Sequence, residues 1–62
     1  MKIKNKIIEL LLKHPNKLFY SDEIAIEINE SLNKVNNCLH YYNNNIFYFH
    51  CTPEKWGWKL LN

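Results

Sequence analysis

Residues 31–43, SLNKVNNCLHYYN, place two different faces within one helix-forming segment. Ser31 is a good N-cap, which predicts a helix from Leu32 to about Asn43. The apolar face has the helical spacing i, i+3, i+7 and i+10 and consists of Leu32, Val35, Leu39 and Tyr42, with Cys38 beside them. The opposite face is uncharged and hydrogen-bonding, and it consists of Asn33, Asn36, Asn37, His40 and Asn44. The first face predicts packing against a core, and the second is a candidate binding surface.

Two further helices are predicted before this segment. Apolar residues at helical spacing indicate a first helix from Ile3 to Lys13, which ends ahead of Pro15 because proline cannot donate into the preceding turn. Leu18 to Tyr20 is short and aromatic, which favours a brief strand. Ser21 then predicts the N-cap of a second helix from about Asp22 to Asn29.

The C-terminal third has the pattern of a β-hairpin. Ile46 to Cys51 and Trp56 to Leu61 favour strands, and Thr52 to Lys55 forms the turn or wing between them. Trp58 is predicted to seal the core, whereas Trp56 lies beside the wing on the same face, and Gly57 between them leaves the other face open. The order helix, short strand, helix, helix, hairpin predicts an α+β fold: one winged helix-turn-helix domain over residues 1–62, with three helices and a small β-hairpin wing.

The composition argues against several classes of protein. A chain of 62 residues with 47% hydrophobic residues suffices for one small core. It contains no glycine-rich phosphate loop, no HExxH and no GxSxG, and it has little volume for a substrate pocket, so we expect neither an enzyme nor a small-molecule substrate or cofactor. The longest apolar run, Ile7 to Leu12, is too short to span a membrane and no secretory signal is present, which predicts an intracellular protein.

The cysteines are predicted to be thiols, and no metal site is expected. Cys38 and Cys51 lack CxxC spacing, and His50 and Cys51, as neighbours on a strand, point to opposite faces.

The charge of +2 and the pI near 8.6 permit binding to a polyanion without requiring it. All eight basic residues are lysine, so the bidentate contact of arginine with guanine is absent. Asparagine is a poorer helix former than glutamate or lysine, and its repetition on one face is explained either by hydrogen bonding to phosphates and sugars or by the coding bias of an AT-rich genome. The residues alone leave both explanations open.

The segment VNNCLH, residues 35–40, followed by TPEKW, residues 52–56, resembles the Zα family of winged helices, which bind left-handed Z-DNA and Z-RNA. That family has a V/I-N-x-x-L-Y motif in its third helix and T-P-P-x-W in its wing. The resemblance implies that Asn36 contacts the zigzag phosphate backbone and that Thr52 and Pro53 pack on the backbone. It also implies that Trp56 braces the aromatic residue of the third helix and reaches a phosphate through water.

The chain departs from the family pattern at three positions. His40 replaces the tyrosine that meets a base, with Tyr41 as a possible substitute, and Glu54 replaces the second proline of the wing. Leu32 stands where many members have a lysine, so a contact by Asn33 or Lys34 would replace it. The candidate nucleic-acid-binding residues are Asn33, Lys34, Asn36, Asn37, His40, Tyr41, Thr52, Pro53 and Trp56.

The resemblance also implies a partner and a setting. It implies a domain that is monomeric in solution, binds a Z-form duplex as two copies, and acts in the cytoplasm or nucleus, of a host cell if the protein is viral. Stand-alone or viral members of the family are expected to mask Z-form nucleic acid from innate immune sensors.

Two other functions remain open from the sequence. A B-DNA-binding transcription regulator would insert the third helix into a major groove, where Asn36, Asn37 or His40 would contact bases. A protein-interaction domain would instead use Phe47, Tyr48 or Phe49 as an exposed docking patch.

Overall fold

The structure, a computed structural model, describes residues 2–61. It contains three helices and two strands: α1 (Ile3–Lys13), α2 (Ser21–Ile28), α3 (Leu32–Tyr41), β1 (Phe47–Cys51) and β2 (Trp56–Leu60). The strands pair antiparallel, from Phe47 opposite Leu60 to Cys51 opposite Trp56. The predicted three helices and hairpin are therefore confirmed, in a winged-helix-like layout. Within residues 2–61, no helix is long and apolar enough to cross a membrane.

The predicted cap of α2 is wrong by one residue. Ser21 is already helical, and Tyr20 is the N-cap. The carboxylate of Glu23 accepts a hydrogen bond of 3.0 Å from the Tyr20 N–H, which satisfies one of the donors that a helix start leaves free. This bond favours a start at Ser21 because it needs Glu23 in the third helical position.

A tight turn joins α2 to α3. Asn29 adopts a left-handed conformation with φ 58°, the Glu30 N–H donates to the carbonyl of Ala25, and the Asn29 N–H donates to that of Ile26. These two bonds form a Schellman motif, in which asparagine is one of the few residues that tolerates the left-handed position. The turn brings α3 close behind α2, as a helix-turn-helix requires.

The start of α3 is as predicted, and its end is earlier. The Ser31 hydroxyl accepts a hydrogen bond of 3.3 Å from the Lys34 N–H, which confirms the N-cap. The helix ends at Tyr41, and Asn44 has φ 62° in the following turn, where its N–H donates to the carbonyl of Phe47. Asn44 therefore does not extend the polar face of α3, contrary to the prediction.

The predicted strand at Leu18 to Tyr20 is reduced to one residue pair. The Trp58 N–H donates to the Phe19 carbonyl at 2.7 Å, and the reverse bond from the Phe19 N–H is 3.5 Å long. No strand forms here within the described chain because α2 begins at Ser21 and ends the extended segment.

The core lies between the helices and the inner face of the hairpin. Its buried residues are Ile7, Leu10, Leu11, Phe19, Ile24, Ala25, Val35, Leu39, Phe47 and Trp58. Cys38 and Tyr42 are half-buried against it, as their positions on the apolar face of α3 predict. Leu32 is 44% exposed, so its predicted place in the core is wrong. It is the first residue of α3, next to the α2 to α3 turn, and it lies beyond the edge of the core.

Gly57 corrects another prediction. The face of β2 that it occupies is not open, because a β-carbon there would lie 2.8 Å from Leu18 Cβ and 3.0 Å from the backbone of Phe19. Its φ of 153° is also one that other residues rarely adopt. Glycine at this position lets the segment before α2 approach the hairpin.

Candidate nucleic-acid interface

The polar face of α3 is accessible along its length. Five of its candidate residues are exposed and Asn36 is half-buried; the exposed ones are Asn33, Lys34, Asn37, His40 and Tyr41. Within residues 2–61, the side-chain hydrogen bonds involve none of the three asparagine amides. Each amide offers two donors and an acceptor to an external partner. The helix has no carboxylate, so nothing on α3 itself repels a phosphate.

The imidazole of His40 is positioned by β2. Its ring lies edge-on to the indole of Trp58, with centroids 5.6 Å apart and an interplanar angle of 88°. Trp58 is 5% exposed, which confirms its predicted place in the core. The contact holds one side of the His40 ring in place, and His40 remains exposed on α3.

Trp56 does not have the neighbour that the family resemblance implies. Its ring partners among residues 2–61 are Tyr20 and Phe49, and the α3 ring of His40 meets Trp58 instead. The register explains the difference: Trp58 pairs with Phe49 inside the hairpin, whereas Trp56 pairs with Cys51 next to the loop. Trp56 is 55% exposed at the wing.

The wing loop is closed by Thr52. The Thr52 hydroxyl donates to the Lys55 carbonyl at 2.9 Å and accepts from the Lys55 N–H at 2.9 Å, and the Thr52 N–H donates to the same carbonyl at 2.8 Å. Pro53, with its fixed φ, stands exposed within this loop. Thr52 therefore holds the shape of the wing as well as lying on its surface.

The charges of the interface are few. Lys34 is on the first turn of α3, and Lys55 and Glu54 are on the wing. The acidic residues are concentrated elsewhere: residues 21–30 contain four of the six and no lysine. Two lysines against one carboxylate give this face a small positive charge.

Among the described residues no group of three or more His, Cys, Asp or Glu side chains is arranged to hold a metal ion. Cys38 and Cys51 are free thiols. Burial raises the pKa of the Cys38 thiol, an effect that Lys4 opposes in part.

Two residues beside Trp56 were not among the predicted nucleic-acid-binding residues, although Phe49 was named for the alternative docking patch. Tyr20 and Phe49 come from the start of α2 and from β1, and both are partly exposed. Phe49 shares a strand face with its pairing partner Trp58, and this pairing could have indicated from the sequence that Phe49 lies near the tryptophans. The contact of Tyr20 with Trp56 depends on tertiary packing. Of the three residues of the alternative docking patch, Phe47 is fully buried and Tyr48 is half-buried, whereas Phe49 is exposed as that alternative predicts.

No family model, curated protein or solved structure matches the chain significantly.

Proposed function

We propose that this chain is a winged-helix domain that binds a nucleic-acid duplex, and specifically the left-handed Z form, through α3 and the wing. The observation that supports the proposal is the combination of an α3 face of uncharged donors with an exposed tryptophan at the wing, on the strand whose Trp58 contacts His40 of α3. Asn33, Asn36 and Asn37 supply amides without internal partners, and the fold leaves Trp56 exposed.

In this proposal Asn36 is at the centre of the contact. Its half-buried position limits the freedom of its side chain, so less conformational entropy is lost when its amide binds a phosphate. Lys34 supplies a charge at the N-terminal end of α3, and His40, held against Trp58, presents its imidazole to a base or sugar. Thr52 and Pro53 form the second edge of the contact, and Trp56 donates its indole N–H to a phosphate, directly or through water.

The Z form is favoured over B-DNA by the motif resemblance and by the chemistry of the face. Reading a major groove depends most often on arginine, which this chain lacks, and α3 has only Lys34 to neutralise phosphate. A face dominated by amides is better suited to following a backbone of distinctive shape. With two lysines at the interface, the logarithm of the affinity should fall with the logarithm of salt concentration with a slope of about −2.

A domain of this kind would act in the cytoplasm or nucleus by occupying Z-form nucleic acid as a monomer on each strand. Competition with innate immune sensors for that ligand is the biological role that the family resemblance supports.

Circular dichroism of an alternating CG duplex, as DNA and as RNA, tests the proposal in a titration at low salt. We expect the protein to invert the right-handed spectrum, and Asn36→Ala and Trp56→Ala to abolish the inversion. Asn5→Ala, an exposed asparagine on α1, is the matched control and should behave as the parent protein. Binding without inversion would indicate a B-form reader, and no binding at all would favour a protein-interaction domain.

A further inference from the structure

Three large aromatic side chains form one exposed cluster at the wing. Tyr20 and Phe49 are each 41% exposed and Trp56 is 55% exposed. The ring centroid of Trp56 lies 5.3 Å from that of Tyr20 and 6.4 Å from that of Phe49. We call these three residues the aromatic patch. They come from three different segments, the start of α2 and the two strands, and only the fold brings them together.

The exposure of this patch is not a by-product of filling the core. Phe19, Phe47 and Trp58 already serve as the buried aromatic residues. Contiguous exposed apolar surface on a small domain is typical of a binding site, and aromatic residues carry much of the energy at such sites. Trp56 belongs both to the patch and to the proposed duplex interface, so the patch continues that interface beyond the wing.

We propose that the aromatic patch binds an unpaired nucleotide next to the duplex. This inference rests on the proposed function and deepens it. Inside a duplex the faces of the bases are stacked on one another, so protein rings can reach only base edges and backbone. An unpaired base offers a free π-face, and aromatic side chains are the usual platform for such bases. The ligand is therefore the junction between a duplex and a single strand, in an end, a loop or a bulge.

The charges around the patch balance. Lys17 and Lys55 line the same groove as Tyr20 and Trp56, together with the carboxylates of Glu23 and Glu54. Because the groove has no net charge, we expect stacking on the rings, and not attraction of the phosphates, to supply the affinity for the unpaired strand. Stacking does not read base identity, so we expect little sequence preference in the unpaired strand.

Fluorescence anisotropy with three labelled ligands tests the inference. They are a blunt alternating CG duplex, the same duplex with a short single-stranded extension, and the same duplex with an extension of equal length that lacks bases. Stacking of one base contributes roughly fivefold to a hundredfold in affinity, so the extension with bases should bind at least about fivefold more tightly than the blunt duplex. The abasic extension should bind like the blunt duplex.

Variants locate the effect. Tyr20→Ala and Phe49→Leu should lose the gain from the extension and keep the affinity for the blunt duplex, and Tyr20→Phe should retain the gain because it retains the ring. Tyr48→Ala, on the opposite face of β1, is the control and should not alter the gain. Thermal unfolding of each variant verifies that it is folded.

The two proposals can fail separately. Equal affinity for the extensions with and without bases, or a full gain in folded Tyr20→Ala, would overturn the patch while leaving Z-form binding intact. A patch-dependent gain without spectral inversion would refute the Z form and support the patch, and absence of any binding would refute both.

Discussion

His40 and Trp58 join α3 to the hairpin through an edge-to-face contact, with ring centroids 5.6 Å apart, on the side of the molecule that carries the candidate interface. Trp56, two residues earlier on the same strand, instead meets Tyr20 and Phe49 at the surface. In our proposal the two tryptophans therefore have different tasks: Trp58 fixes the position of α3, and Trp56 contacts the duplex.

Replacing each tryptophan by alanine should separate these tasks. Trp58→Ala removes a buried indole, and a loss of about 3 to 5 kcal/mol is comparable with the whole unfolding free energy of a small domain. We expect this variant to be largely unfolded at 25 °C. Trp56→Ala removes a ring that is more than half exposed and should lose about 1 kcal/mol or less, with loss of duplex binding. Urea denaturation followed by far-UV circular dichroism measures both, and equal losses would contradict the division.

The fold could be predicted mostly where local chemistry decides it. The bounds of α1 follow from its periodicity and from Pro15, and the Ser31 cap starts α3 as expected. One local signal was missed: Glu23 caps α2 at Tyr20, three residues earlier, and this ends the extended segment before α2. The close contact at Gly57 could not be predicted locally, because it depends on how the segment with Leu18 docks on β2.

The candidate site divides in the same way. The polar face of α3 could be predicted because helical spacing fixes which side chains share a side. The partner of His40 could not, since it depends on which tryptophan the hairpin register places under α3. Tyr20 was missed because nothing in its local sequence shows that the start of α2 packs beside the wing.

Thr52 should control both the stability of the wing and ligand binding. Thr52→Val keeps the shape of the side chain but removes the hydroxyl that bonds the N–H and the carbonyl of Lys55. Because these bonds are exposed, we expect a loss of about 1 kcal/mol in the free energy of unfolding. The loosened wing should also bind the duplex more weakly. Thr52→Ser retains the hydroxyl and should lose much less stability and much less duplex affinity. Chemical denaturation measures the stability, and fluorescence anisotropy measures the affinity. Identical behaviour of the two variants would show that the hydroxyl does not order the wing.

Glu54 should weaken the binding of the present chain. Its carboxylate is exposed on the wing loop beside Pro53, where the proposed interface meets phosphates. Glu54→Gln removes one repulsive charge, and we expect duplex affinity to rise about two- to fivefold at low salt, with the gain shrinking as salt screens the charge. Anisotropy at two salt concentrations measures this. Glu9→Gln, on α1, changes net charge equally and controls for general electrostatics; an equal gain there would remove the argument for a local effect.

The ion pair between Lys6 and Glu30 should make stability depend on pH. Lys6 Nζ lies 2.6 Å from Glu30 Oε2 and ties α1 to the turn between α2 and α3. The hydrogen bond from Lys6 is the main cause that lowers the pKa of Glu30 below its ordinary value of 4.5. A carboxyl whose pKa is lower in the folded state stabilises the fold at pH values above its unfolded pKa, and it loses that contribution as the pH falls through the folded pKa. Glu30→Gln should therefore lower the melting temperature at pH 7 by a small amount, because the pair is partly exposed, and the difference from the parent protein should diminish below pH 4.5. Thermal unfolding between pH 3 and pH 7 measures the difference, with Lys6→Met as the matched variant from the other side of the pair. Adding Lys6→Met to Glu30→Gln should produce little further loss, whereas fully additive losses or a pH-independent difference would show that the two side chains do not stabilise the fold as a pair.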